Sequence, residues 1–281
     1  MGPDPRPPLT MATQRHQPQD TYDDSMSVLP VSVRLALWAT AAYAGHLRVE
    51  DVVVRAHPDL DQVTGDLDRL SLWRDLGERA VLVALPRPGN LAGMPRGSPE
   101  LIAAATDAGE CVYVPGIGGA LVPTLEHFGP AGDVGTQVAW TAFDADPVPT
   151  HTLEALSLNE IELRLRQDLL EATARIDALD IKPWNATLRS LADDIPAGAW
   201  GLPAELPRRA RRILATAAQI GVATDLGLSI HAESQVLTSR LTEQRRRLLT
   251  DLSAIADTAM AAAATVAALS MAGLRPGRND L

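Results

Sequence analysis

The chain has 281 residues, 46% of them hydrophobic, and nine of its ten net negative charges lie in residues 1–150. That length suffices for one large domain or two modest ones. The single cysteine, Cys111, excludes an intramolecular disulfide and a zinc or iron–sulfur site built from the thiolates of one chain. The acidic first half argues against nucleic acid as a partner.

Residues 1–27 are rich in Pro, Gln, Asp and Ser and contain few side chains that a core could bury. This composition is typical of a disordered leader. The leader has no apolar stretch of the signal-peptide type, and no part of the chain approaches about 20 strongly apolar residues. We therefore expect no membrane span and a cytoplasmic location.

Residues 28–146 are predicted to form a small α/β domain that opens with helices. Apolar side chains recur there every three or four residues, which is the spacing of one helix face. Glycines follow two of these segments and supply natural helix ends. The predicted helices cover residues 31–45, 49–56 and 60–76.

Short apolar runs after these helices predict a small sheet. Between the first two runs, a helix over 98–108 is indicated by Ser98 as N-cap and Pro99 at the first helical position. Because two strands joined through a helix are usually parallel, we expect these two to be parallel. The predicted strands cover residues 80–85, 111–114 and 135–143.

Residues 147–152 carry two prolines and are predicted to be a linker, followed by a helical bundle over 153–274 and a tail over 275–281. The apolar positions of the last helix alternate in steps of three and four, as in a coiled-coil seam. The fold class is therefore a small N-terminal α+β or α/β sheet with covering helices, followed by an all-α, coiled-coil-like bundle of long helices. The predicted helices cover residues 157–180, 186–194, 207–223 and 229–271.

The glycine loop over 115–123, PGIGGALVP, is the most suggestive candidate site. Glycines at a strand end let backbone N–H groups approach a phosphate, so Gly116, Gly118 and Gly119 are candidate ligand-binding residues. They match neither the P-loop nor the dinucleotide-binding pattern. A tight turn that needs positive φ explains the same glycines without a ligand.

Glu126 and His127 follow this loop and form the one pair in which an acid and a base are expected to meet a cleft. The six histidines show no metal-binding spacing, and no nucleophile elbow is present. We expect no metal, no cofactor and no catalytic residues. Cys111, inside a predicted strand, is expected to be a small buried residue.

Two further motifs have ordinary structural explanations. His57-Pro58-Asp59 matches the tripeptide of J-domain cochaperones, but the segment before it lacks their lysines, so Asp59 is expected to cap a helix. Arginine clusters at 208–212 and 245–247 are expected to be solvated helix faces or to pair internally with the acidic first half of the chain.

The stretch LVALPRPGNLAGMPRGSPELIAAATDAGECVYVPGIGGALVP, residues 82–123, resembles a family of unknown function from high-GC Gram-positive (actinobacterial) bacteria. The resemblance extends over about residues 30–270. It implies a shared fold and no particular chemistry.

Two functional hypotheses follow from these features. The first is a non-enzymatic interaction or scaffold protein that forms a homo-oligomer, or binds a partner protein, through its C-terminal helices. It rests on an apolar stripe in the last helix that outreaches the shorter helices beside it. The alternative is a protein or enzyme that binds a small ligand or phosphorylated metabolite at the glycine loop, with Glu126 and His127.

Overall fold

The computed structural model describes residues 29–130, 133–178, 201–233 and 239–275. The predicted leader, the helix predicted at 186–194 and the tail beyond Arg275 lie outside the described residues. The α-helices are α1 Val31–Tyr43, α2 Val52–Ala56, α3 Arg69–Asp75, α4 Pro99–Ala108, α5 Thr150–Glu154, α6 Leu158–Ala178, α7 Arg208–Glu233 and α8 Ser239–Met271. The strands are β1 Gln62–Gly65, β2 Leu82–Ala84, β3 Cys111–Tyr113, β4 Ala120–Phe128 and β5 Gly135–Phe143.

The strands form one mixed sheet in the order β1-β5-β4-β3-β2. β1 is parallel to β5, and the other neighbouring pairs are antiparallel. The predicted parallel pairing of the second and third strands is wrong, because β2 and β3 are antiparallel with Ala84 opposite Cys111. The loop after β2 first reaches the far end of the sheet, where Gly97 bridges Ala145, and α4 then returns.

The helix predicted over 60–76 is correct only in its second half. Residues 62–65 form β1, and α3 begins at Arg69. Gly65 adopts a φ of 99°, and a Cβ there would lie 2.0 Å from the carbonyl oxygen of Trp140. The local spacing of apolar side chains predicts a helix here, but pairing with β5 makes these residues a strand. The local pattern does not show this pairing, because the partner strand lies far away in the sequence.

The second half of the chain is mostly helical over its described residues. The helix predicted over 157–180 is confirmed as α6 over its described residues. Of the helix predicted over 229–271, residues 239–271 form α8 and residues 229–233 belong to α7, whereas residues 234–238 lie outside the described residues. α8 packs on α7, α6, α1 and β2. A long coiled coil is not confirmed by this packing.

One hydrophobic core is shared by the two halves of the chain. Small side chains of α8, among them Ala256, Ala263 and Ala267, are fully buried in the same cluster as Leu35 of α1 and Val83 of β2. Alanines allow neighbouring backbones to approach closely. The apolar stripe of the last helix was expected to need a partner from another chain. In the structure, the helices and the sheet of the same chain cover most of this stripe. The division at 147–152 stays a prediction.

Residues Glu243–Met271 of α8 are long and apolar enough to cross a membrane by length and composition, and contain an 18-residue window with a mean hydropathy of 1.6. In the fold, 72% of this window is buried against the rest of the protein. A buried core helix passes the same test, so the helix is weak evidence for a span. The expected absence of a span stays a prediction.

A buried ion pair fastens α1 to the turn before β1. The guanidinium of Arg34 binds the Asp59 carboxylate through both terminal nitrogens, and the two side chains are only 3% and 14% exposed. The expectation that Asp59 caps a helix is wrong, because β1 follows it and the carboxylate is used to neutralise Arg34. Such a pair is stable only while both charges are present.

Glu110, just before β3, accepts a hydrogen bond from the first turn of α1. The helix has Pro30 at its N-cap and no side-chain cap, so its first N–H groups need other acceptors. The Glu110 carboxylate accepts a hydrogen bond of 2.8 Å from the Ser32 N–H. Burial raises the pKa of Glu110 to about 7, although the N–H and the nearby Arg34 act in the opposite direction.

Replacing Glu110 with glutamine is expected to flatten the pH dependence of stability. Because the folded-state pKa of Glu110 is raised, the folded protein keeps a proton that the unfolded chain has lost, and stability falls as pH rises from about 4.5 to about 7. The effect amounts to about 3 kcal/mol for a pKa shift of this size. Urea unfolding of both proteins at pH 5 and pH 8 measures it. Equal losses in the two proteins would refute this role for Glu110.

Candidate functional site

The glycine loop is a tight turn that binds a carboxylate of the chain itself. Gly118 and Gly119 adopt φ angles of 81° and 103°, which confirms the tight-turn interpretation. The Ile117 N–H donates a hydrogen bond of 2.5 Å to Glu78 Oε1, and the neighbouring Gly116 backbone also favours the ionised form of this carboxylate. A Cβ on Gly116 would lie 2.8 Å from Glu78 Oε1, so glycine permits the close approach. These anion-binding N–H groups therefore already hold Glu78.

Glu126 and His127 do not meet the glycine loop. The loop ends at Gly119, because residues 120–128 form β4, and six residues of strand place Glu126 about 20 Å beyond Ala120. Glu126 accepts a hydrogen bond of 2.8 Å from the Gln137 side chain, and His127 Nδ1 lies 3.2 Å from Thr136 Oγ1. The two predicted site residues are thus engaged in cross-strand contacts on an exposed hairpin.

Other reactive side chains of the described residues lie apart from one another or are buried. In the parts of the chain that the structure describes, no cluster of three His, Cys, Asp or Glu side chains could hold a metal ion. Cys111 is buried as predicted, and burial raises the pKa of its thiol to about 12. Burial likewise lowers the pKa of His57 to about 4, which keeps this imidazole neutral near pH 7.

The arginine clusters contribute to ion pairs within the C-terminal half, and in these pairs their partners are Glu162 and Glu243 rather than carboxylates of the acidic first half. Glu162 of α6, with a side chain only 17% exposed, lies 3.2 Å from Arg209 and 2.8 Å from Arg166. Arg212 approaches the same carboxylate at 3.9 Å. In the other cluster, Arg246 and Arg247 both pair with Glu243. The Glu162 pairs connect α6 to α7, and the Glu243 pairs lie on the exposed surface of α8.

The β4–β5 hairpin extends past the core and leaves one edge of β4 open. β3 pairs with β4 only as far as Leu121, whereas β5 pairs with β4 along its whole length. The Ala142 and Thr136 N–H groups donate to Asp66 and Asp61, on the side of β5 away from β4. In an antiparallel pair, the residues opposite these two also point away from the partner strand.

The backbone groups of Pro123, Leu125 and His127 therefore point out of the open edge, since alternate residues of a strand share one direction. Proline suits its position there, because it has no N–H to leave unpaired. In the described parts of the chain, no backbone group is hydrogen-bonded to the Leu125 or His127 amides across this edge. A groove of about 440 Å³ nearby is lined by residues of α4, β4 and β5.

Three large apolar side chains of this hairpin are exposed to solvent. Leu125, Phe128 and Val134 are 45%, 37% and 53% exposed. Surface apolar residues are common singly, but their presence next to unpaired backbone groups marks an edge able to bind another strand. We call residues 122–128 with Val134 the β4 edge.

Each half of the chain matches a different family model. Residues 32–154 match the N-terminal domain of Rv1486c-like proteins, and residues 159–261 match the C-terminal domain. The chain belongs to the Rv1486c-like family. The Rv1486c-like N-terminal domain contains the whole sheet, the glycine loop and the β4 edge, whereas the C-terminal domain contains most of the long helices. Comparison with curated proteins and with solved structures finds no match.

Sequence reasoning missed two of the residues that organise these sites. The sequence does not single out Glu78, because its partner in the glycine loop, Ile117, lies 39 residues away and leaves no local signal. Leu125 lies between the glycine loop, which ends at Pro123, and the strand predicted from Gly135, in a segment for which the sequence analysis predicts no element. Its signal is the β-branched and apolar alternation of ALVPTLEHF, which the glycines and Pro123 obscured.

Proposed function

We propose that this chain is a non-enzymatic interaction protein and that it pairs with a second copy of itself through the β4 edge. The observation that supports the proposal is the row of outward-pointing backbone groups at Pro123, Leu125 and His127. An unpaired, exposed strand edge is a template for another strand. Strand addition supplies affinity through main-chain hydrogen bonds.

A two-fold axis at Leu125 would give four backbone hydrogen bonds. The two Leu125 residues exchange both of their N–H···O=C bonds, and each His127 N–H donates to the Pro123 carbonyl of the second copy. Proline costs little in this register, because only its missing N–H is lost. Closed two-fold pairing of this kind uses the same surface on both copies.

Side chains are compatible with the same register. Leu125 faces Leu125 of the second copy, and Glu126 faces Thr124 rather than another carboxylate, so no like charges lie directly opposite each other.

The net charge of −10 on each chain opposes the approach of two copies. Added salt screens that repulsion, so we expect dimerisation to strengthen between low and moderate salt.

The C-terminal helices offer a second candidate surface for a partner. On α6, Leu163 and Leu170 are 57% and 72% exposed and lie two helical turns apart on one face. The stripe of α8, on which the sequence hypothesis relied, is mostly buried within the chain. Association through helices would therefore use the outer face of α6.

Replacing Leu125 with proline is expected to abolish self-association without disturbing the monomer. The Leu125 N–H points away from β5, so its loss spares the hairpin but removes the central bonds of the dimer. Light scattering at several protein concentrations measures the mass. Circular dichroism confirms that the variant remains folded.

The matched control is Leu170→Lys on the outer face of α6. We expect this control to dimerise like the unaltered chain. Loss of the dimer in the control alone would show that the interface lies on α6 instead. If the unaltered chain is monomeric at high concentration and moderate salt, self-association is refuted.

A further inference from the structure

A cleft of about 560 Å³ lies at the C-terminal end of α8. It is bounded by the segment before β2, the glycine loop, the segment that enters α5, and the turn after α8. This volume falls in the range of sites for small organic ligands. Its lining includes Pro115, Pro147, Val148, Leu153, Leu269 and Leu274.

Two guanidinium groups, those of Arg79 and Arg275, line this mostly apolar cleft. Arg79 donates a hydrogen bond of 2.6 Å to the Ala272 carbonyl, and Arg275 donates to the Leu153 and Glu154 carbonyls at 3.1 and 2.6 Å. Each arginine uses one terminal nitrogen in these contacts, and a guanidinium has five N–H donors. Several donors therefore remain for a ligand.

The carboxylates in the lining do not neutralise these arginines. Glu78 is held by the N–H groups of the glycine loop, and Glu154 is exposed. Among the residues that the structure describes, neither Arg79 nor Arg275 lies within 4.0 Å of a carboxylate. The cleft thus combines apolar walls with two positive charges whose hydrogen bonds to described residues go to backbone carbonyls.

We propose that this cleft binds a small amphipathic anion, with its carboxylate or phosphate contacted by Arg79 and Arg275 and its apolar part against the proline and leucine walls. Arginine presents paired N–H groups that suit both kinds of anion. The apolar lining favours a ligand with a hydrocarbon portion over inorganic phosphate. The ligand would join the α/β half to the end of α8, because the two arginines belong to these two parts.

Isothermal titration of the full-length protein with hexanoate, hexyl phosphate and neutral hexanamide tests this proposal. We expect at least one of the two anions to bind and the amide to bind at least tenfold more weakly. Comparison of the two anions shows whether a carboxylate or a phosphate is preferred. This comparison needs no variant, so it does not depend on whether a variant folds.

Arg275→Met and Arg79→Met are expected to weaken binding of the preferred anion at least tenfold. Arg74→Met is the matched control, because Arg74 is an exposed arginine that pairs with Asp75 outside the cleft. Its affinity should equal that of the unaltered protein. Absence of binding by both anions, equal binding of the amide, or unchanged affinity in both cleft variants would overturn the proposal.

Discussion

Asp59→Asn is expected to destabilise the protein by about 3–5 kcal/mol, the usual cost of removing one partner from a buried ion pair. The substitution leaves the Arg34 guanidinium charged within the core, where its side chain is only 3% exposed. Arg34 also lies near Glu110, whose carboxyl the change would draw toward ionisation. The pair connects α1 to the turn that begins β1, so its loss affects the packing of the sheet.

Urea unfolding at pH 7 measures this change, and Asp51→Asn is its control. Asp51 forms the same kind of pair with Arg48, but both side chains are largely exposed. Exposed pairs contribute little, so we expect the control to unfold at the same urea concentration as the unaltered chain. Similar losses in the two variants would contradict a buried role for the Arg34 pair.

Gly118→Ala is expected to cost about 3 kcal/mol, because two penalties add. The φ of 81° is unfavourable for an L-residue, and the new Cβ would lie 2.1 Å from the Ala145 carbonyl oxygen. That carbonyl also accepts a hydrogen bond from the Gly119 N–H. The glycine loop must therefore move away from the end of β5, which releases Glu78 as well.

Gly89→Ala separates the two penalties in the same unfolding experiment. Gly89 has nearly the same φ, 83°, but no atom lies within 4 Å of the position of its added Cβ. We expect it to cost only about 1 kcal/mol, the backbone penalty alone. Equal losses for the two substitutions would show that the contact with Ala145 is absent.

Elements with local signals were predicted well from the sequence. Ser98 caps α4 as expected, with its Oγ accepting a hydrogen bond of 3.2 Å from the Leu101 N–H, and Gly109 ends that helix with a φ of 74°. α1 and α6 follow from the spacing of their apolar side chains. These elements depend on neighbours three or four residues away, which the sequence displays directly.

Elements that depend on distant partners were missed or misassigned. β1 is specified by pairing with a strand more than 70 residues later, and its own four residues continue a helical pattern. The antiparallel pairing of β2 and β3 depends on the path of the loop that reaches Gly97. No local spacing encodes that path, so the usual preference for parallel crossovers led to the wrong prediction.

The same distinction applies to the candidate sites. The glycines at 116, 118 and 119 were correctly selected as special backbone positions, but their ligand within the chain, Glu78, is a long-range partner. Glu126 and His127 are close to the loop in sequence and distant in space, because a strand separates them. The β4 edge is open because β3 ends before it reaches the second half of β4. The lengths of neighbouring strands become visible only in the assembled sheet.

Amide hydrogen exchange of β4 at increasing protein concentration is the most direct test of self-association through its edge. At low concentration, the Leu125 and His127 amides should exchange rapidly, while Thr124 and Glu126, bonded to β5, exchange slowly. At high concentration, Leu125 and His127 should become protected, with α6 unchanged. Protection at Leu125 and His127 that is independent of concentration, or that appears on α6 instead, would contradict pairing through this edge.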